Sequence, residues 1–67
     1  MNQETYKHIK GEILDLLDDG AADHYYLYEN IHYDDVVIDR VLSMMVRQGV
    51  IVVERNGQGD VDFRRVS

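Results

Sequence analysis

The sequence predicts a small α+β fold: three helices followed by a two-stranded β-hairpin. Three observations predict it. Apolar residues recur at helical spacing over residues 3–18, 24–31 and 34–48. After Gly49 the pattern turns extended, and VIVVER is β-branched. An Asn56-Gly57-Gln58-Gly59 turn then leads into DVDFRRV, where Val61 and Phe63 alternate with Asp60, Asp62 and Arg64.

In the first helix, residues 3–18, Tyr6, Ile9, Ile13, Leu16 and Leu17 share one face. Leu14 points elsewhere, toward solvent or a second subunit. Glu4 suits the positive end of the helix dipole. Asp18-Asp19-Gly20 ends the helix, with Gly20 as the expected C-cap region. Asp23 is the expected N-cap of a second helix over 24–31. There His24, Leu27 and Ile31 face inward, which leaves Tyr25, Tyr26 and Tyr28 on the outer and flanking faces. His32 and Tyr33 make a short turn into the third helix, and so tight a joint points to a helix-turn-helix.

The third helix, residues 34–48, organises the rest. On a helical wheel Ile38, Leu42 and Met45 fall together, with Val41 and Val46 on the flanks. That stripe belongs in a core. The opposite side carries Val36, Arg40, Ser43, Met44 and Arg47, with Val37 and Asp39 at its edges. Asp34 is expected to cap the helix by accepting a backbone N–H bond, and Asp35 suits the dipole. Gly49 suits the C′ position, where a left-handed backbone costs glycine nothing. Residues 50–53 are apolar on both faces, so the pattern leaves the hairpin register open.

At 67 residues the chain is read as one domain. A chain this short buries only roughly 60% of its unfolded surface. With no cysteine it gains neither disulfide nor thiolate metal site, so a homodimer is one route to more buried area. A 45% hydrophobic content argues against disorder. No apolar run approaches the length of a membrane span, and MNQETYKHIK lacks a signal-peptide core. An intracellular, cytoplasmic protein is the expectation. The net charge of −6 disfavours a default nucleic-acid binder, because phosphate neutralisation supplies most non-specific affinity. The charge is uneven. Residues 1–33 hold two lysines against seven carboxylates, a net −5, and residues 34–67 hold five arginines against six, a net −1.

His8, His24 and His32 match no zinc spacing. There is no nucleophile constellation, phosphate-cradling glycine loop or carboxylate pair. The sequence therefore predicts neither an enzyme nor a cofactor.

Gly20, the cap Asp23, Leu27, Ile31, the second cap Asp34, Ile38, Arg40, Leu42, Met45 and Gly49-Val50-Ile51 form a gapless series. In that spacing residues 20–51 resemble the winged helix-turn-helix of small bacterial regulators of the MarR and ArsR type. The resemblance implies a winged-helix fold and a DNA-binding transcriptional regulator. Helix 34–48 would enter the major groove, and the hairpin 50–66 would be the wing on the backbone or minor groove. The DNA-contact candidates are Arg40, Ser43, Arg47, Arg55, Arg64 and Arg65. Two departures bear on this. His32 replaces the usual turn glycine, and histidine tolerates a left-handed backbone better than most residues. The front of the third helix is Asp35-Val36-Val37-Ile38-Asp39, whose carboxylates repel phosphates unless each meets a cytosine amine. A plainer reading pairs the arginines with Asp39, Glu54, Asp60 and Asp62 as a solvated surface.

The alternative is an acidic interaction module that binds a regulatory or DNA-processing protein rather than double-stranded DNA. Val36, Val37 and Met44 beside the arginines form an apolar patch with a charged rim. Tyr25, Tyr26 and Tyr28 add the stiff, amphipathic rings common at interfaces, and Tyr33 lies nearby in sequence.

Overall fold

The computed structural model describes every residue except Asn56, Gln58 and Ser67. Two positions of the expected Asn56-Gly57-Gln58-Gly59 turn therefore lie outside the described residues. The fold is α+β, in the order α1 Gln3–Leu16, β1 Ala22–Asp23, α2 His24–Asn30, α3 Asp35–Gln48, β2 Ile51–Arg55 and β3 Val61–Arg65. The strands form one antiparallel sheet in the order β1-β3-β2. The hairpin is thus the outer part of a three-stranded sheet, not a two-stranded unit.

Helix α1 begins where the Asn2 side chain accepts the Thr5 N–H at 2.8 Å. It ends two residues before the expected Asp18, with Leu17 and not Gly20 as the cap. Leu17 still lies in the core because its N–H donates to Ile13 O at 3.0 Å, extending the turn. Gly20 serves the following turn, at φ 141°, a backbone that side chains rarely adopt.

Strand β1 is too short to leave any period in the sequence. Its two residues pair with β3, Ala22 opposite Phe63 and Asp23 opposite Asp62. Asp23 also caps α2, accepting the Tyr26 N–H at 2.9 Å. Asp34 departs from expectation: it occupies the cap position of α3 without a side-chain bond. Its backbone carbonyl instead accepts from Val37 at 2.9 Å and Ile38 at 3.0 Å. Gly49 closes α3 in the left-handed region, at φ 76°, and Val50 N–H donates back to Met45 O at 3.1 Å.

One core joins all three helices to the sheet. Ile9, Ile13 and Leu17 of the α1 segment meet Leu27, Ile31, Ile38, Val41, Leu42 and Met45, with Ile51 and Phe63 from the sheet. Leu14 is half-buried against this core and so is not a free flank. His24 is half-buried, its ring edge-on to Phe63 at 4.8 Å. Two polar ties span the elements. Gln48 Oε1 accepts from Tyr6 Oη at 3.0 Å and Lys10 Nζ at 3.2 Å, joining α1 to α3. Arg65 pairs with Asp18 at 2.7 Å, joining β3 to the end of α1. Among the described residues, no helix is long and apolar enough to cross a membrane.

Candidate interaction surface

Burying Ile38, Leu42 and Met45 turns the opposite side of α3 to water. Val36, Arg40, Ser43 and Arg47 form the exposed ridge along that side. Val37 and Met44 border it toward α1, and Asp39 and Val46 border it toward α2 and the sheet. A groove of about 590 Å³ runs between α3 and the sheet, lined by His24, Asp39, Leu42, Ser43, Val46, Arg47, Val53 and Phe63. A smaller recess of about 240 Å³ lies on the other side of the ridge, between Met1, Thr5, Tyr33, Val36, Val37 and Arg40.

The sheet sorts the arginines. Neighbouring strand residues point to opposite faces, so Arg64 and Arg65 diverge. Arg64 pairs with Glu54 across the ladder at 2.6 Å, on the outer face. Arg65 reaches Asp18, a partner the sequence reading did not name. Both are engaged in ion pairs. Arg55 shares the inner face with Ile51 and Val53. Among the described residues, Arg40, Arg47 and Arg55 take part in no ion pair. The six candidates therefore do not form one stripe. Arg40, Ser43 and Arg47 stand together on α3, Arg55 stands on β2, and Arg64 and Arg65 are tied elsewhere.

The acidic groups at the front of α3 are also unequal. Tyr28 Oη donates to Asp39 Oδ1 at 2.5 Å, which draws that carboxylate toward α2. The Tyr28 hydroxyl is pushed up to about 12, first by burial, then by the Asp39 hydrogen bond and the charges of Asp39 and Asp35. Asp34 and Asp35 are exposed.

The apolar candidates separate into distinct places. Val36 is 73% exposed, and Met44 is also exposed, while Val37 is half-buried against the core. Met1 and Tyr33 extend this patch, although the sequence reading assigned neither to it. Tyr33 lies only three residues before Val36, whereas Met1 comes there because the start of α1 packs near α3, which no local period reveals. Tyr25 is 74% exposed and its ring meets Tyr28 edge-on at 6.4 Å, close to the hairpin tip at Gly59 and Asp60. Tyr26 is exposed on a different recess, beside Leu16 and Gly20. The tyrosines are thus not one cluster. Val46, expected on the flank of the core stripe, is instead exposed where the groove between α3 and the sheet leaves it uncovered, and Val53 is an exposed apolar group of the same groove that the sequence pattern does not single out. For Val53 the signal was hidden, because every residue of the run 50–53 is apolar.

Comparison of the chain with protein-family models, with curated proteins and with solved structures finds no match.

Proposed function

We propose that this chain is a winged helix-turn-helix domain that binds double-stranded DNA and acts in the cytoplasm as a transcriptional regulator. Helices α2 and α3 are the helix-turn-helix, α3 is the reader, and the β2–β3 hairpin is the wing. Strand β1 anchors the wing beside α2. One observation carries the reading: Arg40, Arg47 and Arg55 take part in no ion pair among the described residues, and two of them share the exposed ridge of α3. An arginine held by no carboxylate is free to meet phosphate or a guanine edge in bidentate fashion. Asp39, the carboxylate nearest the middle of that ridge, is held by Tyr28.

A second reading has its own support. Val36 stands 73% exposed in the same ridge, beside an apolar recess. On that reading the ridge meets a protein, and the acidic balance of −6 serves to repel nucleic acid.

A mobility-shift titration on a random-sequence duplex decides between them. Three phosphate contacts give a log affinity that falls with log salt at a slope of about −2.7. The combined substitution Arg40→Ala, Arg47→Ala and Arg55→Ala should abolish the shift and leave the circular dichroism intact. A wild-type chain that shifts no duplex even at low salt overturns the DNA reading. Nuclease-resistant capture of a protein that Val36→Asp loses then supports the second.

A further inference from the structure

We propose that the free edge of β2 is a docking site for an extended peptide in which an apolar residue alternates with acidic ones. The order β1-β3-β2 leaves β2 unpaired on one side. The phase of the ladder follows from one bond: Val66 N–H donates to Val50 O at 3.1 Å. With Val52 opposite Arg64 and Glu54 opposite Asp62, that bond makes these two the hydrogen-bonded pairs. The N–H and C=O groups of Ile51, Val53 and Arg55 therefore point away from β3; Ile51 is fully buried, so the open edge is formed by Val53 and Arg55. The same phase frees Phe63 to pair with Ala22 on the other side of β3. Among the described residues, nothing bonds to the outward groups of Val53 and Arg55. Such a row of donors and acceptors is a template for strand addition.

The side chains beneath that edge define the partner. Ile51, Val53 and Arg55 share the inner face of the sheet. Val53 is 46% exposed and lines the groove whose other wall is Val46 and Arg47. An antiparallel strand added to β2 carries every second side chain over this groove. The residue opposite Val53 meets an apolar floor, so an aliphatic side chain fits there. Arg47 lines the groove beside Val53, and Arg55 follows Val53 on the same face of β2; neither takes part in an ion pair among the described residues, so carboxylates fit beside them, while Asp39, which also lines the groove, is held by Tyr28. Main-chain bonds then supply affinity and the alternating side chains supply specificity. The proposal stands without the DNA reading, although peptide and duplex share Arg47 and Arg55 and would compete.

The test is fluorescence anisotropy of a labelled peptide, Ser-Glu-Thr-Val-Thr-Glu-Ser, titrated with the full chain. Saturable binding is expected. Methylating the backbone nitrogen of its central valine should weaken binding roughly tenfold, by removing the bond to Val53 O. Val53→Pro should weaken it similarly, since the Val53 N–H faces the edge and proline is tolerated there. Arg55→Ala should weaken it a few-fold, with a shallower salt dependence. Absence of saturable binding, or equal binding of the methylated peptide to the wild-type chain, overturns the proposal even if Val53→Pro fails to fold. A wild-type dimer that Val53→Pro makes monomeric would also overturn it, by giving the edge to a second copy. None of these readouts depends on whether the chain binds a duplex.

Discussion

Tyr28 is the residue whose environment most changes its chemistry. Its hydroxyl is favoured in the protonated form because the ring is half-buried and the O–H donates a hydrogen bond to Asp39 at 2.5 Å. Its folded value of about 12 stands above the ordinary 10, so the fold gains from the neutral form. That contribution is complete below pH 10 and is lost as pH rises toward 12. Urea midpoints of the wild type should therefore fall across this window, and those of Tyr28→Phe should fall less. In a spectrophotometric titration, the wild type should show a tyrosinate component near pH 12 that Tyr28→Phe lacks. At neutral pH the same substitution should cost about 1 kcal/mol, because Asp39 is exposed and regains water. Neither this bond nor the Arg65–Asp18 pair was legible in the sequence. Their partners lie 11 and 47 positions apart, and side-chain pairing at such separations follows from tertiary approach, not from spacing.

At the scale of elements, two aspartates in equivalent places do different work. Asp23 and Asp34 both precede a helix, and the sequence treats them alike. Asp23 accepts the Tyr26 N–H at 2.9 Å, whereas Asp34 makes no side-chain cap bond. Asp23→Ala should therefore destabilise by about 1 kcal/mol. Asp34→Ala should lose only the dipole contribution, about 0.3–0.5 kcal/mol. Chemical denaturation of the two variants checks the difference, and equal losses would contradict it. Helix identity was readable because a 3.6-residue period repeats over each apolar stripe. The left-handed stop at Gly49 was readable for a related reason: the requirement is local and glycine meets it alone. Strand β1 was not readable, since two residues cannot show a period of two and its pairing is with β3, about forty positions away.

The whole molecule rests on one small core. A 67-residue domain is stabilised by roughly 3–10 kcal/mol in total. Ile38 is fully buried where α3 meets the rest of the core. Ile38→Ala should remove about 2–5 kcal/mol, enough to leave the chain largely unfolded at 37 °C. A thermal melt followed by circular dichroism reads this directly, and a change of only a few degrees would mean that the core repacks. Arg65–Asp18 tolerates loss far better, because both partners are solvent-exposed and such pairs contribute 0–1 kcal/mol. The marginal core also gives the edge of β2 its importance, since any partner that pairs there adds buried surface the chain lacks by itself.

By itself the sequence determined three helices, their inward faces apart from Val46, the cap at Asp23, the stop at Gly49 and the existence of a hairpin. All of these depend on neighbours within about a turn of helix or a tight turn of chain. Only the tertiary structure decided the third strand, the ladder phase that leaves Val53 and Arg55 at an open edge, and the division of the arginines into paired and unpaired sets. Those outcomes depend on which distant elements meet and which face each strand residue presents, and in a run apolar on both faces no residue type encodes that choice.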